Sequence, residues 1–67
     1  MNRYEPTIGD ELVNSEDTLT VTDLPVDTTG AIDIQMVELT REDGAVITKN
    51  LSGLRTDLKH GRRTVKA

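Results

Sequence analysis

Residues 31–51 read Ala-Ile-Asp-Ile-Gln-Met-Val-Glu-Leu-Thr-Arg-Glu-Asp-Gly-Ala-Val-Ile-Thr-Lys-Asn-Leu, and this stretch decides the fold. Its first half, 31–41, alternates apolar and polar side chains, the pattern of a strand with a face in a core. Ile32, Ile34 and Met36 share one face; the phase then changes, and Val37 and Leu39 share the other. A β-bulge near Met36 and Val37 would bring all five inward, and so would burial of both faces. Glu42, Asp43 and Gly44 supply turn chemistry, with Asp43 and Gly44 as its structural centre and Gly44 suited to a left-handed backbone. Residues 45–51 then return as a second strand, closing a hairpin. A three-residue loop sets Arg41 opposite Ala45, Leu39 opposite Ile47 and Val37 opposite Lys49. A two-residue turn slips the pairing by one and sets Glu38 opposite Lys49. The first register joins Leu39 to Ile47 on the buried face and is preferred for that reason.

Upstream, residues 18–24 (Thr-Leu-Thr-Val-Thr-Asp-Leu) predict a half-buried strand, with Leu19 and Val21 inward and Thr18, Thr20 and Thr22 outward. Pro25 ends it by removing a ladder donor, and residues 26–30 read as loop. Before it, residues 9–13 predict a short strand after Pro6, and Asn14-Ser15-Glu16-Asp17 a turn. Downstream, residues 52–61 predict a short helix. Ser52 is its candidate cap, Leu54 and Leu58 lie on one face, Lys59 and His60 sit near the negative end, and Gly61 is the stop. Two turns do not stand alone, so Leu54 and Leu58 are expected to dock on the sheet. Residues 62–67 are either a last edge strand or a loose basic tail. The chain thus divides into a polar opening segment (1–17), a β-rich core with hairpin and helix (18–61) and a basic end (62–67).

The fold class predicted is mostly β, a small meander or partly open barrel with one short C-terminal helix. The order of elements resembles small barrels of the Tudor or Src-homology type over roughly residues 8–67, in pattern only and without a signature motif. Such barrels bind ligands through aromatic cages or aromatic-lined peptide grooves. Tyr4 is the single aromatic here, so the resemblance implies a scaffold without those sites.

With 67 residues, no cysteine, no tryptophan and no phenylalanine, the chain is one domain at most and has no disulfide framework. It contains eighteen Val, Leu, Ile and Met side chains beyond the initiator, and the large aromatics that carry most area per residue are missing. Small scaffolds close such a gap with disulfides, metals or association. Association is the route left, which predicts an oligomer or a component of a larger assembly. No apolar run approaches the roughly 18 residues of a membrane span, and residues 1–6 do not read as a signal peptide. The expected location is cytoplasmic or virion-associated, with no membrane contact.

Charge is divided along the chain. Residues 1–47 carry eleven acids against Arg3 and Arg41, a balance of −9, whereas residues 48–67 carry six cations against Asp57, a balance of +5. An acidic body with a basic end suits either self-complementary contacts or an acidic partner. Twelve acids, three lysines and ten threonines are also the balance of proteins working in high salt, and of many ordinary phage and bacterial proteins.

Catalytic chemistry is weakly represented. A hydrolytic triad needs a base, and the single histidine, His60, is placed at a helix end. The acid pairs Asp10-Glu11, Glu16-Asp17 and Glu42-Asp43 point apart and read as solvated turn or surface acids. No calcium loop or glycine-rich phosphate loop is present in the sequence, and no cofactor is expected. Asn50-Leu51-Ser52 matches a glycosylation acceptor, which has no weight without a secretion signal. The remaining feature is the basic set Arg55, Lys59, Arg62, Arg63 and Lys66. The reading is therefore a non-catalytic interaction or assembly component, of the size of a minor virion or phage-type accessory protein. Its basic end would dock on an acidic protein surface, of a partner or of another copy. The alternative is a small nucleic-acid-binding regulatory module that uses the same cations as a phosphate clamp. Against it stand the acidic body and the lack of rings to stack bases.

Overall fold

The computed structural model describes residues 3–66. Within them the chain forms β1 (Glu11–Val13), β2 (Thr18–Asp23), β3 (Val26–Asp27), β4 (Ile34–Arg41), β5 (Val46–Asn50), the helix α1 (Leu51–Lys59) and β6 (Thr64–Val65). All strand pairs are antiparallel, and the sheet curls into a half-barrel in which β5 and β6 do not pair with each other and β3 pairs with β4 only. This is the mostly-β, partly open barrel with one short helix that the pattern predicts. β4 is its spine: β5 lies along one edge, and β2 followed by β3 along the other.

The hairpin takes the three-residue loop. Leu39 faces Ile47 and Val37 faces Lys49, while Arg41 N–H donates to the Ala45 carbonyl at 2.8 Å. Gly44, at φ +92°, donates to the Arg41 carbonyl, and Asp43 Oδ1 accepts from Ala45 N–H at 2.9 Å. A turn followed by one left-handed residue aligns the two strands with their natural twist, and glycine takes that conformation without strain.

The change of phase in residues 31–41 is resolved differently from the expected bulge at Met36 and Val37. β4 pairs with β5 without interruption there, Met36 facing Asn50 and Val37 facing Lys49. The irregularity lies in β2, where Val21 faces Leu39 but Asp23 already faces Glu38. Accordingly the five apolar side chains are not all inward. Val37 and Leu39 are fully buried, Met36 is half-buried on the other face, Ile34 is exposed, and Ile32 precedes the strand with 73% of its surface in water. The bulged residue Thr22 bonds across to Glu38 Oε1 at 2.8 Å and Thr40 Oγ1 at 3.0 Å. Residues 26–30, read as loop, contain β3, which pairs with Ile34 and Gln35. The Gln35 amide donates to the carbonyls of Leu24 and Pro25, occupying acceptors where Pro25 interrupts the ladder. Asp27 closes the turn after β3: Thr29 donates its backbone N–H and then its hydroxyl, which together hold the carboxyl below the usual range.

The helix starts one residue earlier than predicted, and its cap is Asn50 rather than Ser52. Asn50 Oδ1 accepts from Gly53 N–H at 2.6 Å from an extended backbone. Ser52 lies inside the first turn, where its carbonyl accepts from the Thr56 hydroxyl. The predicted stop holds: Gly61 (φ +73°) donates to the Leu58 carbonyl and Arg62 to that of Asp57, a Schellman ending. Leu54 is buried, and Leu51 and Leu58 pack around it.

Among the described residues, the fully buried core is Leu12, Leu19, Val21, Val37, Leu39 and Leu54. Tyr4, Leu24, Ile47, Leu51, Leu58 and Val65 pack against it, whereas Ile8, Val26, Ile32, Ile34 and Val46 are exposed. The opening segment contributes Leu12 and β1, and β6 joins the basic end to β1 through Leu12–Val65 and Val13–Thr64.

Candidate functional site

The cations of the basic end have different surroundings. Arg63 lies inward with 13% of its side chain exposed, donating to Asp17 Oδ1 at 2.6 Å and to the Leu12 carbonyl at 3.1 Å. Arg62 reaches Asp57 Oδ1 at 3.1 Å, and Lys49 takes the other oxygen of the same carboxylate at 2.9 Å. The Lys49 hydrogen bond, aided by Arg62 and opposed by partial burial, holds Asp57 below the usual carboxylate range. Lys66 is exposed beside β1, its backbone N–H bonded to the Glu11 carbonyl.

Arg55 and Lys59 belong to a different group. They lie on α1 and, with Arg3, Tyr4, Ser52, Thr56 and Leu58, line an open cleft of about 690 Å³ between the N-terminal segment and the helix. Arg55 holds the two walls together, its Nε donating to the Tyr4 carbonyl at 3.0 Å and its Nη2 to Glu5 Oε1 at 3.2 Å. Tyr4 is fixed from the other side: its hydroxyl donates to Asp10 Oδ2 at 2.6 Å, and Thr7 N–H donates to the same oxygen at 3.0 Å. Burial, then the hydrogen bond and charge of Asp10, push the phenol well above its ordinary value. The cleft therefore offers three cations, two hydroxyls, an aromatic ring and a leucine.

Two of the five predicted cations, Arg55 and Lys59, are thus brought together, while Arg62, Arg63 and Lys66 lie outside the cleft lining. Sequence reasoning missed Arg3 and Tyr4. Both lie in the acidic half of the chain, and the one signal available was that Tyr4 is the single ring.

A second depression, of about 420 Å³, lies between the β1–β2 and β4–β5 turns and is lined by residues 14–18 and 41–43. Its Asn14 side chain caps its own turn through Glu16 and Asp17 N–H. Asp17 is engaged by Arg63 and, at 3.9 Å, by Arg41. His60 is exposed at the end of α1. Among the described residues there is no group of three or more metal-ligating side chains and no helix long and apolar enough to cross a membrane. No protein-family model matches the chain, and no curated protein or solved structure matches it either.

Proposed function

We propose that the protein is a non-catalytic interaction module working within an assembly, and that its basic cleft receives an acidic segment of a partner protein. The observation that carries this reading is the clustering of Arg3, Arg55 and Lys59 around Tyr4 and Leu58. Cations beside a small apolar floor suit a peptide that presents carboxylates and one or two apolar side chains. The thin core supports the assembly setting, because association supplies the burial that a 67-residue chain without large aromatics lacks. A minor virion or accessory component is a setting that fits this size and charge. A phosphate clamp is less favoured: it would leave Leu58 in the lining without a role, and Tyr4 is the single ring of the chain on which a base could stack.

The test is titration of the full chain with a glutamate-rich peptide carrying one leucine, followed by backbone amide shifts, beside a duplex DNA of equal charge. Peptide-induced shifts confined to residues 3–5 and 52–59, weakened roughly tenfold by Lys59→Glu, are expected. Duplex binding with a steep salt dependence would move the assignment to a nucleic-acid module. Indifference to both ligands would remove the cleft as a site.

A further inference from the structure

Among the described residues, three strands pair on one side only, and they differ. β3 and β6 are only two residues long, which protects them from pairing with other strands. β5 is five residues long and pairs only with β4. The bond from Arg41 N–H to the Ala45 carbonyl makes Arg41–Ala45 a hydrogen-bonded pair. By the alternation of antiparallel ladders, Leu39–Ile47 and Val37–Lys49 are hydrogen-bonded pairs too. The backbone N–H and C=O groups of Val46 and Thr48 therefore point away from β4, to the open side. The usual protections are missing from this edge. It has no proline and no bulge, Val46 is 57% exposed, and its one charge, Lys49, is drawn to Asp57 on α1.

We infer that β5 is the seam of a two-fold dimer, in which it pairs antiparallel with β5 of a second copy and continues the sheet across both molecules. The occupant follows from the strand's self-complementarity. A two-fold axis at Ile47 pairs Val46 with Thr48 of the second copy and Thr48 with its Val46, so all four outward groups of these two residues are used on each strand. The same axis puts Ile47 against Ile47 of the second copy on the face that carries the core, and Lys49 against Ala45, so no like charges meet. An axis at Thr48 would set Lys49 against Ile47; one at Val46 would pair Val46 with itself but set Ile47 against Ala45 and Thr48 against Gly44 of the turn, so both lose the Ile47 pair on the core face. This seam uses no residue of the basic cleft, so either reading stands or falls without the other.

The experiment is the solution mass of the full chain by light scattering over a wide concentration range. The dimer predicts twice 7.4 kDa at the upper end. In Thr48→Pro the missing N–H is an outward one, so the β4–β5 ladder survives; monomer mass with an unchanged circular dichroism spectrum is expected. Val46→Lys reads the same loss through repulsion across the axis and keeps the test valid should the proline variant misfold. The chain has no cysteine, so Ile47→Cys should oxidise to a covalent dimer. A monomer at every concentration, or a dimer indifferent to both edge variants, overturns the inference. Failure of Ile47→Cys to cross-link overturns the Ile47-centred axis.

Discussion

Arg63 Nη2 lies 2.6 Å from Asp17 Oδ1, joining the chain's basic end to the first turn across 46 residues of sequence. With Nη1 on the Leu12 carbonyl, one guanidinium ties β6, β1 and the β1–β2 turn together. A fork of rigid donors does this; a lysine would reach only one acceptor at a time. Charge that reads as partner-binding in the sequence is here spent inside the fold.

Arg63→Ala should therefore destabilise the protein by about 1.5–3 kcal/mol, since it removes charged hydrogen bonds at a largely covered site. Arg62→Ala, with a side chain 62% exposed, should cost less than about 1 kcal/mol. Urea unfolding of the two variants checks this; equal losses would mean that Arg63 is no more than a surface charge.

Asn50→Ala should cost about 1 kcal/mol by removing the cap of α1, and Ser52→Ala should cost little. Gly53→Ala is informative beside them, because a Cβ there would stand 2.8 Å from Asn50 Oδ1 and displace it. Thermal melts ranking Ser52→Ala as the most damaging would return the cap to Ser52.

Gly44→Val should cost roughly 1–3 kcal/mol, because a β-branched residue is forced to positive φ in a turn that has ample room for the side chain. Leu39→Ala should cost about 2–5 kcal/mol, enough to unfold a marginal domain, since Leu39 is fully buried on the central strand. A melting curve untouched by Gly44→Val would refute the turn.

Asp57 is held below its ordinary pKa of about 3.9 by Lys49 and then Arg62, so its contribution to stability is present above that pH. It is lost as pH falls below roughly 4 and the carboxyl protonates. Lys49→Met should flatten this acid limb in denaturant titrations between neutral pH and pH about 3. An unchanged limb would show that Asp57 is not coupled to Lys49.

Tyr4 is shifted in the opposite sense, so its contribution is full below the ordinary phenol value of about 10 and is lost as pH rises beyond it. As the only aromatic residue it owns the whole phenolate absorbance, which should rise only as the protein unfolds. A phenolate signal at ordinary pH with the sheet intact would contradict the Tyr4–Asp10 bond. Tyr4→Phe should remove the alkaline transition at a cost of about 1–2 kcal/mol.

Local chemistry determined the hairpin, its three-residue loop, the inward pair Leu19 and Val21, and the helix stop at Gly61. Each depends on neighbours within a few residues, through turn conformation, side-chain alternation or the pairing of adjacent strands, and those are written in the order of amino acids. The placing of the bulge in β2, the use of Arg63 as an internal tie and the joining of Arg3 and Tyr4 to Arg55 and Lys59 were decided by the tertiary structure alone. Those depend on which distant segments the curled sheet brings face to face. A strand cannot announce where its partner will slip, and a cation cannot announce which carboxylate will reach it, until the chain has closed on itself.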